Sequence, residues 1–307
     1  MNTAHVIELR AVDKHYDKAV VVDGIDLQVD PGECFVLVGH NGAGKTTIMK
    51  LMLGLTRPST GQVLVLDEDP ASRMFAARRQ ALGYLPESAS FYSNMTGLEL
   101  LGYYAHLKGV PKTEVDQRLQ QVGLHAAAAR RLHTYSKGMR QRLGLAQAIL
   151  GAPRLLFLDE PTTGLDPLLR RDFYQIISDL RASGTTVVIS SHALNEIEAQ
   201  ADRIAVIKHG HLVACGSLPD LGRQVGLPVR TRIAVAAGNA ARVAGQLAAH
   251  IKIDRVNDHS VDLICPEDEK MSVLRHIADL GDTVLDVSMT TPCLDEIYLH
   301  FMNGEGP

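Results

Sequence analysis

Residues 34–47 read CFVLVGHNGAGKTT, and this stretch decides the fold. Its first five residues are apolar, as in a buried strand, and the following TIMKLMLGL has the pattern of a helix. The intervening G-x-x-x-x-G-K-T is typical of a phosphate-binding loop, because glycines let backbone N–H groups point inward at a helix N-terminus. A glycine-rich turn without a ligand is the alternative, and the complete pattern between strand and helix argues against it.

The loop pattern assigns a role to two of its side chains. Lys45 is expected to reach the β- and γ-phosphates of a nucleotide, and the Thr46 hydroxyl is expected to bind Mg²⁺. The candidate nucleotide-binding residues of this segment are Gly39, Asn41, Gly42, Gly44, Lys45, Thr46 and Thr47.

A second buried strand ends in two acids, at residues 155–160 (LLFLDE). A magnesium site beside a phosphate loop needs an acid at a strand end, so Asp159 is predicted to hold Mg²⁺ through water. Glu160, one residue further on, is predicted to polarise the attacking water. An Asp-Glu pair at a strand end is often only a solvated loop, but the phosphate loop in the same chain favours the catalytic interpretation.

Composition excludes several classes of protein for this chain of 307 residues. Lys and Arg total 31 against 35 Asp and Glu, a net charge of −4, so there is no cationic excess for binding nucleic acid. No run approaches the roughly 18 apolar residues of a membrane-spanning helix, and the first twenty residues lack a signal-peptide pattern. We therefore expect a cytoplasmic protein, with reduced thiols at Cys34, Cys215, Cys265 and Cys293.

Short apolar runs alternate with helical patterns, which predicts an α/β fold with a mostly parallel sheet. Alternating residues in 7–12 and 20–29 predict an antiparallel β layer at the N-terminus, and strand signals vanish in a helical insertion at about 94–140. Glycine and proline interrupt the pattern at 216–228. We place a boundary there, between a domain of residues 1–217 and a small α+β domain of residues 218–307, read as strand, helix, strand, helix, strand, helix.

Three further segments carry a resemblance to a known family. They are residues 135–142 (YSKGMRQR), 163–166 (TGLD) and 190–192 (SSH). In their order and spacing, the motifs within residues 5–217 resemble those of the ATP-binding subunits of ABC transporters. Ser136 and Gly138 resemble that family's signature loop, Asp166 its D-loop aspartate and His192 its switch histidine.

The resemblance implies ATP and Mg²⁺ as ligands and ATP hydrolysis as the activity. It implies a second copy of the chain as a partner, because each signature loop of the family completes the phosphate site of the other copy. Tyr16 matches the aromatic residue that stacks on adenine, although an exposed strand tyrosine would be ordinary. Glu87 stands where the family usually has Gln, and we expect this carboxylate to meet Mg²⁺ or the attacking water.

The same resemblance implies a polytopic membrane permease as a partner, which places the chain on the inner face of the cell membrane. Five of the 14 aromatic residues fall between 84 and 104, where the permease docks in the family; their alternative role is to fill the core of the helical insertion. The variant signature and the tail at 291–299 (TPCLDEIYL) resemble the ABC-2 branch.

Within this branch, the whole chain is most similar to the ATPase subunits that serve copper-site maturation of nitrous oxide reductase, which leaves room for a periplasmic accessory subunit. An ABC-2 exporter ATPase with another cargo is one alternative. A soluble ABC ATPase acting on ribosomes or DNA is another, and a phosphate-loop kinase would not need Ser136 or His192. His209 and His211 are expected on the rim of a hairpin turn rather than at a metal.

Overall fold

The computed structural model describes residues 5–17, 19–88, 91–249 and 251–304. Internal contacts divide the chain into two units, Met1–Ser217 and Leu218–Pro307. The helices and strands of the first unit are β1 (Ile7–Tyr16), β2 (Ala19–Val29), β3 (Cys34–Val38), α1 (Lys45–Met52), β4 (Thr60–Val65), β5 (Leu82–Leu85), α2 (Gly97–Lys108), α3 (Lys112–Gln121), α4 (Lys137–Ala148), β6 (Leu155–Asp159), α5 (Pro167–Ala182), β7 (Thr186–Ser191), α6 (Leu194–Ile197), β8 (Arg203–Lys208) and β9 (His211–Gly216).

The central sheet of the first unit has the strand order β5-β6-β7-β3-β8-β9. Every neighbouring pair is parallel except β8 and β9, which form an antiparallel hairpin. Strands β3, β6 and β7 are buried at every residue, as expected for parallel strands covered on both faces. The prediction of a mostly parallel sheet is confirmed.

The register of this sheet brings the predicted site segments to one edge. Asp159 pairs with Ser190 across β6 and β7, and Val38 pairs with Ser191 across β3 and β7. Because parallel strands end at the same edge of a sheet, the phosphate loop, Glu160 and His192 all leave the sheet side by side.

A separate antiparallel sheet, with strand order β2-β1-β4, forms the N-terminal layer. Ile7 faces Val29 and Leu9 faces Leu27, and these four side chains are all buried in one hydrophobic cluster. The alternation of apolar and polar residues therefore reflects one buried and one wetter face, as predicted.

Helices replace strands between β5 and β6, in agreement with the predicted insertion. A capping box starts α2: Glu99 N–H donates to Thr96 Oγ1 at 3.1 Å, and Thr96 N–H donates to Glu99 Oε2 at 2.8 Å. The helix ends at Gly109, whose φ of 68° suits glycine. Ser136 caps α4 by accepting a hydrogen bond from Met139 N–H.

The second unit is a small α+β module around a four-stranded antiparallel sheet of order β11-β12-β10-β13. Its helices and strands are α7 (Leu218–Val225), β10 (Val229–Val235), α8 (Ala240–Leu247), β11 (Lys252–Val256), β12 (Ser260–Cys265), α9 (Lys270–Ala278), β13 (Val284–Thr290) and α10 (Leu294–Asn303). From β10 to β13 this is the β-α-β-β-α-β topology of ferredoxin-like folds. Val229, Ile233, Val243 and Val261 are fully buried in a cluster within this unit.

Two elements of this unit were absent from the predicted order of strands and helices. One is α7, which lies in the segment 216–228 where glycine and proline interrupt the pattern. This helix has a strong apolar stripe, but it is short and contains Pro219 and Gly222. Strand β11 was missed because it lies at the sheet edge and is mostly exposed, so its sequence KIDRV has no alternation of buried and exposed residues.

Candidate functional site

The phosphate loop, residues 39–44, joins β3 to α1 in a conformation that requires its glycines. Gly42 and Gly44 have φ values of 83° and 110°, in the left-handed region. A Cβ atom on Gly44 would lie 2.8 Å from the Val21 carbonyl oxygen, and one on Gly39 would lie 2.5 Å from the Ile207 carbonyl oxygen. Backbone packs directly on backbone here, so larger residues would push the loop away from the sheet.

The loop forms one wall of a cavity of about 320 Å³. Residues from five separate segments line this cavity: Val21, Asn41, Gly42, Ala43, Gly44, Lys45, Thr46, Thr47, Glu87, Glu160 and His192. Most of the residues predicted to bind nucleotide or to act in catalysis therefore meet at one place.

Lys45 lies at the base of the cavity and is only 6% exposed. Its ammonium donates to the Gly39 carbonyl oxygen at 2.6 Å and to the His40 carbonyl oxygen at 3.4 Å, and it lies 3.6 Å from Glu160 Oε1. A buried ammonium needs such acceptors. The carbonyl groups of the loop thus hold the Lys45 ammonium beside the cavity. An anionic ligand in the cavity can compete with these carbonyl groups for the ammonium.

Asp159, at the end of β6, accepts hydrogen bonds from two hydroxyl groups. Thr46 Oγ1 donates to Asp159 Oδ1 at 3.2 Å, and Ser190 Oγ donates to the same oxygen. The described residues contain no group of three or more His, Cys, Asp or Glu that could hold a metal. Mg²⁺ usually binds through one or two carboxylates together with phosphates and water, so the hard oxygens of Thr46 and Asp159 fit this ion without a larger cluster.

Glu160 has an unusual backbone conformation, with φ of 47°, just beyond the end of β6. Its N–H donates to the Ser190 carbonyl oxygen at 3.1 Å, which holds the turn against β7. The Glu160 carboxylate is buried, and its Oε2 lies 2.6 Å from His192 Nδ1 and 3.3 Å from His192 N. Strained residues of this kind cluster at functional sites.

Glu87 follows β5 and lies in the cavity wall with an exposed side chain. Tyr16, at the end of β1, is outside the set of lining residues; it is 45% exposed, and Lys14 Nζ lies 4.7 Å from its ring centroid. The structure thus brings Glu87 into the cavity and leaves Tyr16 on the surface.

Five predicted nucleotide-binding residues do not line the cavity of their own chain: Tyr16, Gly39, Ser136, Gly138 and Asp166. Ser136 and Asp166 are helix caps, and Asp166 accepts a hydrogen bond from Leu169 N–H at 3.0 Å at the start of α5. The signature and D-loop segments contact each other, since a Cβ atom on Gly164 would lie 2.7 Å from Lys137 Nζ.

The sequence assigned no role to three residues of the site, which are Ala43, Val21 and Ser190. Val21, on β2, lines the cavity, and Ser190 contacts both Asp159 and Glu160. The polar Ser190-Ser191 pair at the end of a buried strand was a usable signal for Ser190. No local pattern distinguishes Val21 from the other strand valines.

A second, smaller depression of about 300 Å³ lies between β5 and the helical insertion. Tyr84, Phe91, Tyr104 and Lys108 contribute to its lining, and burial raises the pKa of Tyr84 to about 12. Burial also lowers the pKa of Lys108, whose ammonium donates to two backbone carbonyl oxygens. The aromatic residues thus divide between half-buried positions in this groove and exposed positions around it.

We call Phe91, Tyr92 and Tyr103 the aromatic surface. Tyr92 is 73% exposed and Tyr103 is 50% exposed, whereas Phe91 is half-buried. Filling the core of the helical insertion therefore does not account for Tyr92 and Tyr103.

The hairpin between β8 and β9 turns at His209 and Gly210, as predicted. Gly210 N–H donates to the Ala43 carbonyl oxygen at 3.0 Å, so this turn supports the phosphate loop. No described helix is long and apolar enough to span a bilayer.

Comparisons with known proteins show which family the chain is similar to. The sequence profile of the ABC transporter family matches residues 22–163. The daunorubicin resistance ATP-binding protein DrrA3 of Streptomyces coeruleorubidus is 34% identical over 312 residues, which cover 97% of this chain and 96% of that protein. The bacitracin transport ATP-binding protein BcrA of Enterococcus faecalis is 42% identical over 222 residues, 72% of each chain.

A solved structure of an ATP-binding subunit of an ABC transporter superposes on this chain with a TM-score of 0.67 at 30% identity, covering 72% of this chain and 93% of the other. Similarity to DrrA3 over nearly the full length of both proteins, together with the phosphate loop and the acids beside it, decides the family. The chain belongs to the ATP-binding subunits of ABC transporters, enzymes that bind ATP and couple its hydrolysis to transport.

Proposed function

We propose that this chain is the motor of a transporter in which two copies close on ATP and drive a separate membrane permease. The observation that carries this proposal is that the predicted nucleotide-binding residues fall into two separate groups. Lys45, Thr46 and Glu160 share one cavity, whereas Ser136 and Gly138 lie outside it. Ser136 stands at the N-terminus of α4, where backbone N–H groups and the helix dipole suit an anion. A second copy supplies this helix terminus to the γ-phosphate.

The roles of the side chains follow from their positions. Lys45 and the backbone N–H groups of the loop hold the phosphates, and Thr46 and Asp159 hold Mg²⁺. A bound Mg²⁺ ion neutralises charge on the phosphate oxygens. Glu160 orients and polarises the attacking water, and His192 orients the Glu160 carboxylate, which it contacts at 2.6 Å. Glu87 adds a carboxylate at the rim that meets Mg²⁺ or the water.

For the permease, we infer that the aromatic surface is the contact site. Exposed aromatic side chains supply large contact areas at a small entropic cost. The surface follows Glu87 closely in sequence, so movement of the permease can reach the cavity wall through few residues. Such a contact places the chain at the inner face of the membrane.

For the cargo, we propose copper-site maturation of nitrous oxide reductase, with a periplasmic accessory subunit as a further partner. Support comes from the resemblance of the chain over its whole length. The names of the relatives, bacitracin transport and daunorubicin resistance, instead favour another ABC-2 cargo. The copper content of nitrous oxide reductase, isolated from cells that produce only the Glu160→Gln variant of this chain, distinguishes the two cargo assignments. Copper-depleted reductase supports the proposal, and fully loaded reductase rejects it.

Mixing two inactive variants tests the shared site. Lys45→Ala damages the phosphate loop, and Ser136→Arg damages the signature segment. In a mixed dimer, one site combines both intact halves, so mixing is expected to restore phosphate release above the sum of the separate variants. If both elements act within one chain, mixing restores nothing and the dimer proposal fails. A mixture of Lys45→Ala with wild-type protein measures subunit exchange.

A further inference from the structure

Two loops that leave the sheet beside each other are connected directly at two points. The first loop, residues 160–166, follows β6 and runs from Glu160 to Asp166. The second, residues 192–197, follows β7 and includes α6. His192 contacts Glu160 at one end of the connection, and Glu196 contacts Thr162 further along.

Glu196 occupies the centre of this connection. Its Oε2 accepts a hydrogen bond from Thr162 Oγ1 at 3.0 Å, and its Oε1 is paired with Arg170 Nη1 of α5. Arg170 in turn donates through Nε to the Leu165 carbonyl oxygen at 2.8 Å. One carboxylate therefore holds both ends of the Thr162–Leu165 turn, one end directly and the other through an arginine.

Burial makes these contacts strong determinants of the loop conformation. Thr162 is 5% exposed, and the Glu196 side chain is 25% exposed. Hydrogen bonds to ionised groups are stronger than neutral ones, and partial burial reduces competition from water. The first loop also contains two left-handed residues, Glu160 and Gly164, so it needs external contacts to keep its shape.

We propose that Glu196, acting through Thr162 and Arg170, is a positioning residue for ATP hydrolysis. It keeps the first loop aligned with His192, so that the Glu160 carboxylate stays directed at the water while Asp166 is presented to the second copy. This inference rests on the proposed function. Since none of the three residues lines the nucleotide cavity, their loss affects turnover and leaves nucleotide binding intact.

Steady-state ATP hydrolysis by the full chain tests the proposal through separate kcat and KM values. Glu196→Gln is expected to lower kcat about tenfold and to change KM for ATP by less than twofold. Thr162→Val is expected to act similarly, whereas Thr162→Ser, which keeps the hydroxyl, retains a kcat close to wild type. The double variant Glu196→Gln/Thr162→Val is expected to lose little more kcat than either single variant, because both substitutions remove the same connection.

A matched control comes from another partly buried Glu–Arg pair, Glu114 and Arg118 on α3, whose side chains are 17% and 18% exposed. Glu114→Gln is expected to leave kcat unchanged. The melting temperature of each variant is measured alongside, and assays are run at least 15 °C below it.

A wild-type kcat for Glu196→Gln overturns the proposal, and so does an equal loss of kcat in Glu114→Gln. Equal kcat losses in Thr162→Ser and Thr162→Val overturn it too, because the hydroxyl then has no role. Failure of the proposed function is distinguishable: mixing Lys45→Ala with Ser136→Arg would then restore no phosphate release, whatever the kcat of Glu196→Gln.

Discussion

Glu160 Oε1 lies 3.6 Å from Lys45 Nζ and accepts no hydrogen bond within the described part of the chain. The other oxygen, Oε2, is held by His192. A buried carboxylate oxygen without a donor is costly, so it is available to a ligand that supplies one. In the proposed mechanism, the pair thus joins the residue that binds phosphate to the residue that polarises water, and it leaves one acceptor for that water.

Lys45→Ala and Glu160→Gln are expected to separate binding from turnover. The lysine variant loses a charged contact with the phosphates, so its affinity for ATP falls by about tenfold or more. The glutamine variant keeps the phosphate loop, so it binds ATP but loses on the order of 100-fold or more in phosphate release. Size exclusion with ATP and Mg²⁺ is expected to show an accumulated dimer of Glu160→Gln. Unimpaired hydrolysis by this variant would remove Glu160 from the catalytic role.

Glu87→Gln removes a negative charge from the rim of the cavity. We expect ATP to bind a few-fold more tightly in the absence of Mg²⁺, because repulsion between the carboxylate and the phosphates is lost. Hydrolysis continues, since Glu160 is retained. Equilibrium titrations with and without Mg²⁺ measure both effects, and a large loss of turnover would show that Glu87 itself positions the water.

Removal of residues 218–307 is expected to leave a chain that binds ATP with nearly unchanged affinity. All residues that line the cavity belong to the first unit, and the second unit has a hydrophobic cluster of its own. Isothermal titration with ATP provides the measurement. An aggregated product without nucleotide binding would show that the C-terminal unit is needed for folding of the first.

Aspartate substitutions at Phe91 and Tyr92 are expected to abolish permease binding and to leave ATP hydrolysis in solution nearly intact. A desolvated aromatic anchor contributes on the order of 2 kcal/mol to an interface, or about 30-fold in affinity. Pull-down with the solubilised permease and a phosphate-release assay measure the two effects. Met74→Asp, at an apolar residue 76% exposed outside the aromatic surface, is the control. Normal assembly of the Tyr92 variant would place the contact elsewhere.

Asp262 is expected to make the C-terminal unit sensitive to acid. Hydrogen bonds from Arg232, with the nearby positive charges of Arg232 and Arg255, lower the pKa of this carboxyl. The folded form therefore gains stability above the ordinary pKa of about 3.9 and loses it as the pH falls through the lowered value. Asp262→Asn is expected to melt earlier than wild type at pH 7, with the difference shrinking below pH 4. A pH-independent difference would assign the effect to packing.

Local sequence patterns were sufficient to predict most of the residues that meet at the candidate site. The glycines and Lys45 lie within nine consecutive residues, and Asp159 and Glu160 stand at the end of an apolar strand. Such features depend on neighbours in the chain, so a pattern of residue types is enough to predict them.

Contacts between distant segments were decided only by the tertiary structure. Thr46 meets Asp159 across 113 residues, and Glu196 meets Thr162 across 34, because β6, β7 and β3 pair in that order and in one register. The exposed strand β11 is held by its partner β12 rather than by its own pattern. Strand order and register depend on how buried faces pack across the whole domain, and no short stretch of sequence contains that information.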